Sequence, residues 1–237
     1  MNERQAELLT TIINEFIQTG LPVGSKTIID CKQFNVSGAT IRNEMHTLSE
    51  EGFLEQPHIS AGRIPTALGY RTYVKEFMKP TKHEALVKEK FESLKNQYLK
   101  RKDQERAYEA VALLSRIMPN ISFATIPHRN RVYYMGLANV LRQPEFQQDS
   151  ALASNVVEVL EESLTDLLES VEIDNKIRYY IGEDHILQTL QSCALLVTKY
   201  TIRGEEDGVV GILGPIRMDY AYNTVALELA VDLLNKC

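Results

Sequence analysis

Apolar residues near the start of the chain recur at helical spacing. In residues 3–19 they fall three and four positions apart, which is typical of an amphipathic helix: Leu8, Leu9, Ile12, Ile13, Phe16 and Ile17. Gly20 and Pro22 are expected to end this helix. A second, shorter helix is predicted from Ser25, which can cap it, to Ile29.

A third helix is predicted to begin at Ser37, whose hydroxyl can serve as its N-cap. One face is apolar and is expected to pack inward: Ile41, Met45 and Leu48. The first turn and the opposite face present Ser37, Ala39, Thr40, Arg42, Asn43 and His46. Free N–H groups at a helix N-terminus can meet a phosphate, and Arg and Asn can read the edges of G and A. We therefore expect this helix to enter the DNA major groove.

A hairpin pattern follows Gly52. Residues 53–56 are predicted to form a strand, and residues 57–65 a turn flanked by strands. Thr66 can cap a fourth helix with a buried side formed by Tyr70, Tyr73, Val74 and Phe77. Helices followed by a hairpin predict a winged helix-turn-helix, whose wing would lie against the DNA backbone or minor groove. The wing residues expected there are His58, Ser60 and Arg63.

The same pattern has another interpretation. Winged helices also serve as protein-interaction or dimerisation modules, and Arg42 could pair with Glu44 or Glu50 on the surface. The combination of helix, wing arginine and capped fourth helix favours DNA.

The middle of the chain, through Met118, is predicted to be helical. It carries two apolar stripes, which are Val87, Phe91, Leu94 and Tyr98, and then Tyr108, Val111, Leu114 and Met118. These stripes could form a dimer seam, but packing within one domain is the more common role. The basic run at 100–106 is expected to be a solvated face.

From Ile121 onward, strands alternate with helices, which predicts an α/β domain with an antiparallel hairpin near its end. The predicted strands are Arg131–Met135, Lys176–Ile181, Leu195–Ile202 and Val209–Leu213, with a turn at Gly204–Gly208. The predicted helices are Val156–Leu168, His185–Gln191 and Tyr220–Leu234.

Charge is distributed unevenly along the chain. The net charge is −6, but residues 1–79 hold 8 basic and 9 acidic side chains, whereas residues 132–237 hold 7 and 17. An acidic C-terminal half is compatible with DNA binding by a separate N-terminal module, because salt screens charges beyond about 8–10 Å. No apolar run is long enough to span a bilayer, so no membrane association is expected. Three widely spaced cysteines suit a reducing cytoplasm.

No catalytic or metal site is predicted, and no cofactor. The five histidines, at 46, 58, 83, 128 and 185, lack ligand spacing. Cys193 with His185 could form a nucleophile and base, but a buried structural cysteine is the favoured interpretation. The segment 214–220 could be a ligand loop; the favoured interpretation is a turn in which Asp219 caps the last helix and Arg217 joins a local ion pair.

The N-terminal residues resemble the HrcA family, the heat-inducible transcription repressors of bacteria. The similarity lies in Pro22–Lys26, Ala39–Met45, Gly52–His58, Ser60–Arg63, Pro65–Thr66 and Gly69–Arg71. It continues in Gly136–Leu141, Gln143–Phe146, Tyr180–Glu183 and Gly211–Tyr220.

This resemblance implies an α+β protein with a winged helix-turn-helix at 1–79, a helical linker at 80–119 and a GAF-like C-terminal domain at 120–237. It implies a cytoplasmic, non-enzymatic repressor of chaperone operons of the DnaK and GroE type. Such a repressor would bind an inverted-repeat operator in double-stranded DNA as a homodimer, with a GroEL-type chaperonin as a further partner.

One departure from the family lies between Ile126 and Arg131. The family carries there a long stretch with sheet strands and an inserted dimerising domain, whereas this chain has only residues 127–130. We therefore expect a reduced sheet with an open edge strand. That edge, or the helix at 80–118, would supply a substitute dimer contact. The alternatives are a small-molecule-responsive regulator with the C-terminal domain as sensor, and an interaction protein that has lost DNA binding.

Overall fold

The computed structural model divides the chain into two compact units, Met1–Met78 and Lys79–Cys237. The residues that it describes are 1–30, 34, 36–80, 83–98, 103–127, 131–182, 188–202 and 206–235. Several predictions fall wholly or partly outside these residues: those on His128 and His185, the start of the basic run at 100–106, residues 128–130 of the shortened segment, Glu183, and the first two residues of the turn at 204–208.

The first unit is a winged helix-turn-helix, as the pattern of apolar residues predicts. Its helices are α1 (Glu3–Thr19), α2 (Ser25–Asp30), α3 (Gly38–Glu50) and α4 (Ala67–Thr72), and α4 continues into a π-helical turn, Tyr73–Phe77. Between α3 and α4 the hairpin strands β1 (Leu54–Glu55) and β2 (Ile64–Pro65) pair antiparallel. The wing is thus the loop that joins β1 to β2.

The core of this unit forms where the apolar stripes of its helices meet. Leu8, Leu9, Ile12 and Ile13 of α1 are fully buried, and α1 packs against α3. The predicted inward face of α3 is confirmed, since its three apolar residues are all buried: Ile41, Met45 and Leu48. Burying such side chains stabilises a fold by about 1.5–3 kcal/mol each.

The second unit is built on an antiparallel sheet. Its strands are β3 (Ile121–Ile126), β4 (Arg131–Met135), β5 (Arg178–Ile181), β6 (Cys193–Ile202) and β7 (Glu206–Pro215). They lie in the order β4-β3-β7-β6-β5, with every neighbouring pair antiparallel. Among the described residues, β4 and β5 are therefore the edge strands of a five-stranded sheet. This matches the expected domain of strands and helices with an antiparallel hairpin near its end and an open edge strand.

Helices cover both faces of this sheet. The residues at 80–119, expected as a helical linker, contain α5 (Glu84–Tyr98) and α6 (Asp103–Ile117), and both pack on the final helix, α11 (Tyr220–Asn235). The opposite face carries the main apolar core, with Phe123 and Leu195 at its centre. The helices on that side are α7 (Leu137–Leu141), α8 (Pro144–Gln148), α9 (Ser150–Glu158) and α10 (Leu164–Glu169).

Two details differ from the sequence-based expectations. The helix predicted over Val156–Leu168 is interrupted by a π-helical turn, Val159–Ser163, between α9 and α10. Tyr108, expected in the apolar stripe of α6, is 44% exposed and makes an edge-to-face contact with Tyr133. The first difference arises because a pattern of fixed helical spacing does not distinguish a π-helical turn from the α-helix on either side of it.

The β6–β7 hairpin is longer than predicted. Pairing continues to Ile202 opposite Glu206, so that Gly208, predicted to lie in a turn, lies within β7 opposite Tyr200. A Cβ at Gly208 would lie 2.5 Å from the Tyr200 ring, because that ring fills the space beside the glycine. The Tyr200 hydroxyl then donates to the Thr125 carbonyl at 2.6 Å, which ties three neighbouring strands together.

No helix within the described residues is long and apolar enough to cross a membrane.

Tyr200→Phe should lower the free energy of unfolding by about 1–3 kcal/mol, because the half-buried Thr125 carbonyl loses the hydrogen bond that the buried tyrosine donates to it. Gly208→Ala should cost a similar amount, about 1–3 kcal/mol, by displacing the ring. Urea unfolding followed by circular dichroism measures both. Tyr108→Phe is the control at a half-exposed tyrosine; a loss as large as that of Tyr200→Phe would contradict this account.

Candidate nucleic-acid interface

The start of α3 is fixed by its cap. The Ser37 hydroxyl oxygen accepts a hydrogen bond from the Thr40 backbone N–H at 3.2 Å and lies 3.0 Å from the Thr40 hydroxyl. Ser37 and Ala39 are exposed and Thr40 is half-buried. The capped first turn therefore faces solvent, as an anion-binding helix terminus requires.

The inner side of α3 is held to α1 by an ion pair. Arg4 Nε donates to Glu44 Oε1 at 2.6 Å, and the Glu44 side chain is only 10% exposed. Among the described residues, the second carboxylate oxygen of Glu44 has no hydrogen-bond partner. A buried carboxylate of this kind depends on its single cation, so Arg4 sets how α3 lies on α1.

This pairing leaves the outer side of α3 open. The alternative in which Arg42 pairs with Glu44 or Glu50 is not what the structure shows: Arg42 Nε donates to the Ser25 hydroxyl at 3.2 Å. Glu50 instead lies 3.9 Å from His46. Ser25 is the first residue of α2 rather than its cap. Arg42, Asn43 and His46 are all exposed.

The wing is anchored at its base by a close backbone approach. Val23 and Arg63 exchange two backbone hydrogen bonds of 2.9 Å each. A Cβ at Gly62 would lie 2.4 Å from the Val23 carbonyl oxygen, so only glycine permits this approach. The β2 side of the wing is thereby pinned to the loop between α1 and α2.

The wing tip is closed by hydrogen bonds of its own. Gln56 Nε2 donates to the carbonyls of Ile59 and Ala61 at 2.9 and 3.0 Å. The Ala61 N–H donates to the His58 carbonyl at 2.8 Å. These bonds fix residues 56–61 as one compact turn, on which His58 and Ser60 are exposed.

A groove of about 450 Å³ runs between α3 and the wing. It brings together five of the residues predicted from sequence: Arg42, Asn43, His46, Ser60 and Arg63. The other four do not line it, since Ser37, Ala39 and Thr40 lie at the start of α3 and His58 on the wing tip. Sequence reasoning missed two polar lining residues, Ser25 and Gln56. Ser25 was assigned only a capping role, and nothing in the strand pattern marks Gln56.

The groove is positively charged in a protein whose net charge is negative. Its lining includes two arginines, Arg42 and Arg63, and none of its described lining residues is acidic. Arg63 is half-buried, and its Nε has no hydrogen-bond partner among the described residues. The side chain as a whole is partly exposed, and an arginine guanidinium can donate to phosphate and base-edge acceptors.

The second unit offers no comparable site among the residues that the structure describes. Cys193 is fully buried, and burial raises the pKa of its thiol to about 12, which leaves it protonated and unreactive at neutral pH. Arg217 pairs with Glu145 at 2.6 Å, while Asp219 accepts from the Tyr222 N–H and caps α11. The segment 214–220 thus has a structural role. No cluster of potential metal ligands exists among the described residues.

Comparison with known proteins gives consistent matches. The family model of the HrcA protein C-terminal domain matches residues 80–223. The heat-inducible transcription repressor HrcA of Thermomicrobium roseum is 25% identical, with 100% of this chain and 95% of that protein covered. The repressor of the same name from Desulforudis audaxviator is 27% identical, with 100% and 97% covered.

The alignment with the Thermomicrobium repressor extends over 331 positions, whereas this chain has 237 residues. That relative therefore carries residues that this chain lacks. A crystal structure described as a hypothetical protein at 2.2 Å resolution has the same fold, with a TM-score of 0.88, 21% identity, and coverage of 100% of this chain and 98% of that one.

Arg4→Ala should lower the free energy of unfolding by about 1–3 kcal/mol, because it leaves the buried Glu44 carboxylate without its cation. Adding Glu44→Gln should restore part of this loss, because it removes the buried charge. Chemical denaturation measures both variants. Lys88→Ala, which breaks an exposed ion pair with Glu84, is the control and should change little; a double variant less stable than Arg4→Ala alone would contradict the argument.

Proposed function

The chain belongs to the HrcA family, and we propose that it represses heat-shock chaperone operons of the DnaK and GroE type by binding an inverted-repeat operator. The observation that carries this proposal is the basic groove between α3 and the wing, which combines Arg42, Asn43 and Arg63 without an acidic neighbour in its described lining. Action on chromosomal DNA would place the protein in the cytoplasm. The proposal includes no catalytic step.

In this proposal the exposed face of α3 lies in the major groove. Arg42 and Asn43 have the side chains that read G and A edges, and the bond from Arg42 to Ser25 orients the guanidinium before DNA arrives. His46 extends the same face by one turn. The first turn, with Ser37, Ala39 and Thr40, would meet a phosphate through its free N–H groups.

The wing would contact the DNA next to the site read by α3. Arg63 stands at its base and His58 and Ser60 at its tip, so that contacts along the wing would run from the groove toward the backbone or minor groove. Such contacts position the protein on the duplex but do not read its base sequence. They also make binding salt-dependent.

We further propose a homodimer, because an inverted repeat presents two half-sites related by a two-fold axis. Among the described residues β4 is an edge strand, and an edge strand presents unpaired backbone groups that another chain can pair with. Tyr133 of this strand makes an edge-to-face contact with the half-exposed Tyr108 of α6. This edge together with α6 is our candidate for the substitute dimer contact.

Heat would act through the stability of the repressor. A change of about 1–2 kcal/mol alters the population of a marginally stable protein several-fold. In this proposal a GroEL-type chaperonin helps to maintain the active fold, and repression ends when unfolded proteins occupy the chaperonin.

The decisive experiment is selection of binders from a random pool of DNA duplexes, followed by gel shift. The wild-type protein should enrich an inverted repeat, and Arg42→Ala should weaken binding to it by about 1–3 kcal/mol, because one base-reading contact is lost. Repeating the shift after mild heating, with and without a GroEL-type chaperonin, tests the regulatory proposal.

Lys75→Ala is the matched control for Arg42→Ala. It removes the same charge from an exposed residue of the same unit, on the π turn away from the groove, and should change affinity much less. Failure of the wild type to enrich any sequence, or equal affinity of the wild type and Arg42→Ala with intact circular dichroism, would overturn the proposed function.

The dimer is tested by light scattering at micromolar concentration, where we expect the mass of two chains. Tyr108→Ala together with Tyr133→Ala should lower that mass if the β4 edge and α6 form the contact, and Lys75→Ala should leave it unchanged. A monomer under these conditions would exclude this interface.

A further inference from the structure

One apolar side chain of the winged-helix unit has no packing role. Ile59, at the tip of the wing, is 99% exposed, more than the other exposed large apolar residues of this unit, such as Leu21 at 67% and Leu68 at 40%. Full exposure of an isoleucine forgoes the hydrophobic stabilisation that burial would give. The fold of this chain alone therefore offers no reason for it.

The backbone that presents Ile59 is held rigidly. Its carbonyl accepts a hydrogen bond from Gln56, which also bonds to Ala61, and the Ala61 N–H closes the turn on His58. The base of the same wing is pinned to Val23. An exposed apolar side chain on a turn fixed at both its tip and its base is set in position before any partner arrives.

The surroundings of Ile59 are polar. His58 and Ser60 flank it, both exposed, and the Arg63 guanidinium lies at the base of the wing with an unsatisfied Nε. A single apolar side chain among polar groups forms no contiguous apolar patch of the kind that protein interfaces use. It does match a mode of DNA binding in which an apolar wedge enters the minor groove and partly unstacks a base step, beside basic and polar side chains.

We propose that Ile59 is such a wedge: when α3 occupies the major groove, the wing tip inserts Ile59 at a base step of the minor groove and bends the operator. This inference rests on the proposed function and deepens it. The wedge would add a source of DNA sequence specificity, because the free-energy cost of unstacking a base step depends on the bases in that step. This cost is lowest at flexible pyrimidine–purine steps.

The test uses the full chain and the inverted-repeat duplex enriched by the wild type. Three variants are compared with the wild type: Ile59→Ala, Ile59→Leu and, as an exposed apolar residue away from the wing, Leu21→Ala. Bending is measured by energy transfer between dyes at the duplex ends, and unstacking by the fluorescence of 2-aminopurine placed at successive steps.

We expect Ile59→Ala to bind about tenfold more weakly, to bend the duplex less and to abolish a 2-aminopurine signal that the wild type produces at one step in each half-site. Ile59→Leu should retain the bend and the signal, since leucine is also an effective wedge. Leu21→Ala should match the wild type. A single mismatch at the unstacked step should reduce the difference between Ile59→Ala and the wild type, because that step is already open.

Failure of this inference is distinguishable from failure of the proposed function. If the wild type binds and Arg42→Ala weakens binding, yet Ile59→Ala bends and unstacks the duplex like the wild type, the wedge is wrong and the repressor assignment stands. A lower mass of Ile59→Ala in light scattering, with unchanged bending, would assign the side chain to a contact between copies and would also overturn the wedge.

Discussion

The close approach of the wing to the α1–α2 loop is the constraint on which the groove between α3 and the wing depends. Gly62 lies so near the Val23 carbonyl that no side chain fits, and the two Val23–Arg63 hydrogen bonds hold this geometry. Because α2 follows that loop and bonds to Arg42 through Ser25, one contact sets the wing, α2 and α3 in register. The groove between α3 and the wing exists because these contacts hold the wing, α2 and α3 in fixed positions relative to one another.

The periodicity of apolar residues was sufficient to predict the helices of the winged-helix unit and the two faces of α3. It identified Ile41, Met45 and Leu48 as core, and what remained on the outside had to include Arg42 and Asn43. Periodicity could not predict contacts between residues that are distant in sequence. Nothing local to Glu44 indicates that it pairs with Arg4, forty positions away. The alternative pairing with Arg42 would join residues two positions apart, which do not face each other on a helix.

In the second unit the sheet was predictable in outline and its details were not. Glycine is a turn signal when neighbours are unknown, and this assigned Gly208 to a turn. In the fold it is a strand residue, because the Tyr200 ring on the paired strand occupies the place of a side chain. Likewise, helical spacing placed Tyr108 in one apolar stripe with Val111 and Leu114, which are fully buried, although Tyr108 lies at the surface against Tyr133. Both differences concern contacts between two strands or between a helix and a strand. The residues in these contacts are separated in the sequence, so a pattern of neighbouring residues does not reveal them.

Net charge is a poor guide to what this protein binds, and the structure gives the physical reason. The chain carries −6 overall, yet the acidic residue of α3 that faces inward is neutralised by Arg4, and the described groove lining is entirely free of carboxylates. Salt limits the reach of distant charges to about 8–10 Å, so phosphates at the groove respond mainly to its own side chains. The acidic excess elsewhere lowers non-specific attraction to DNA. It therefore increases the share of binding that must come from direct contacts, which we propose that α3 and the wing make.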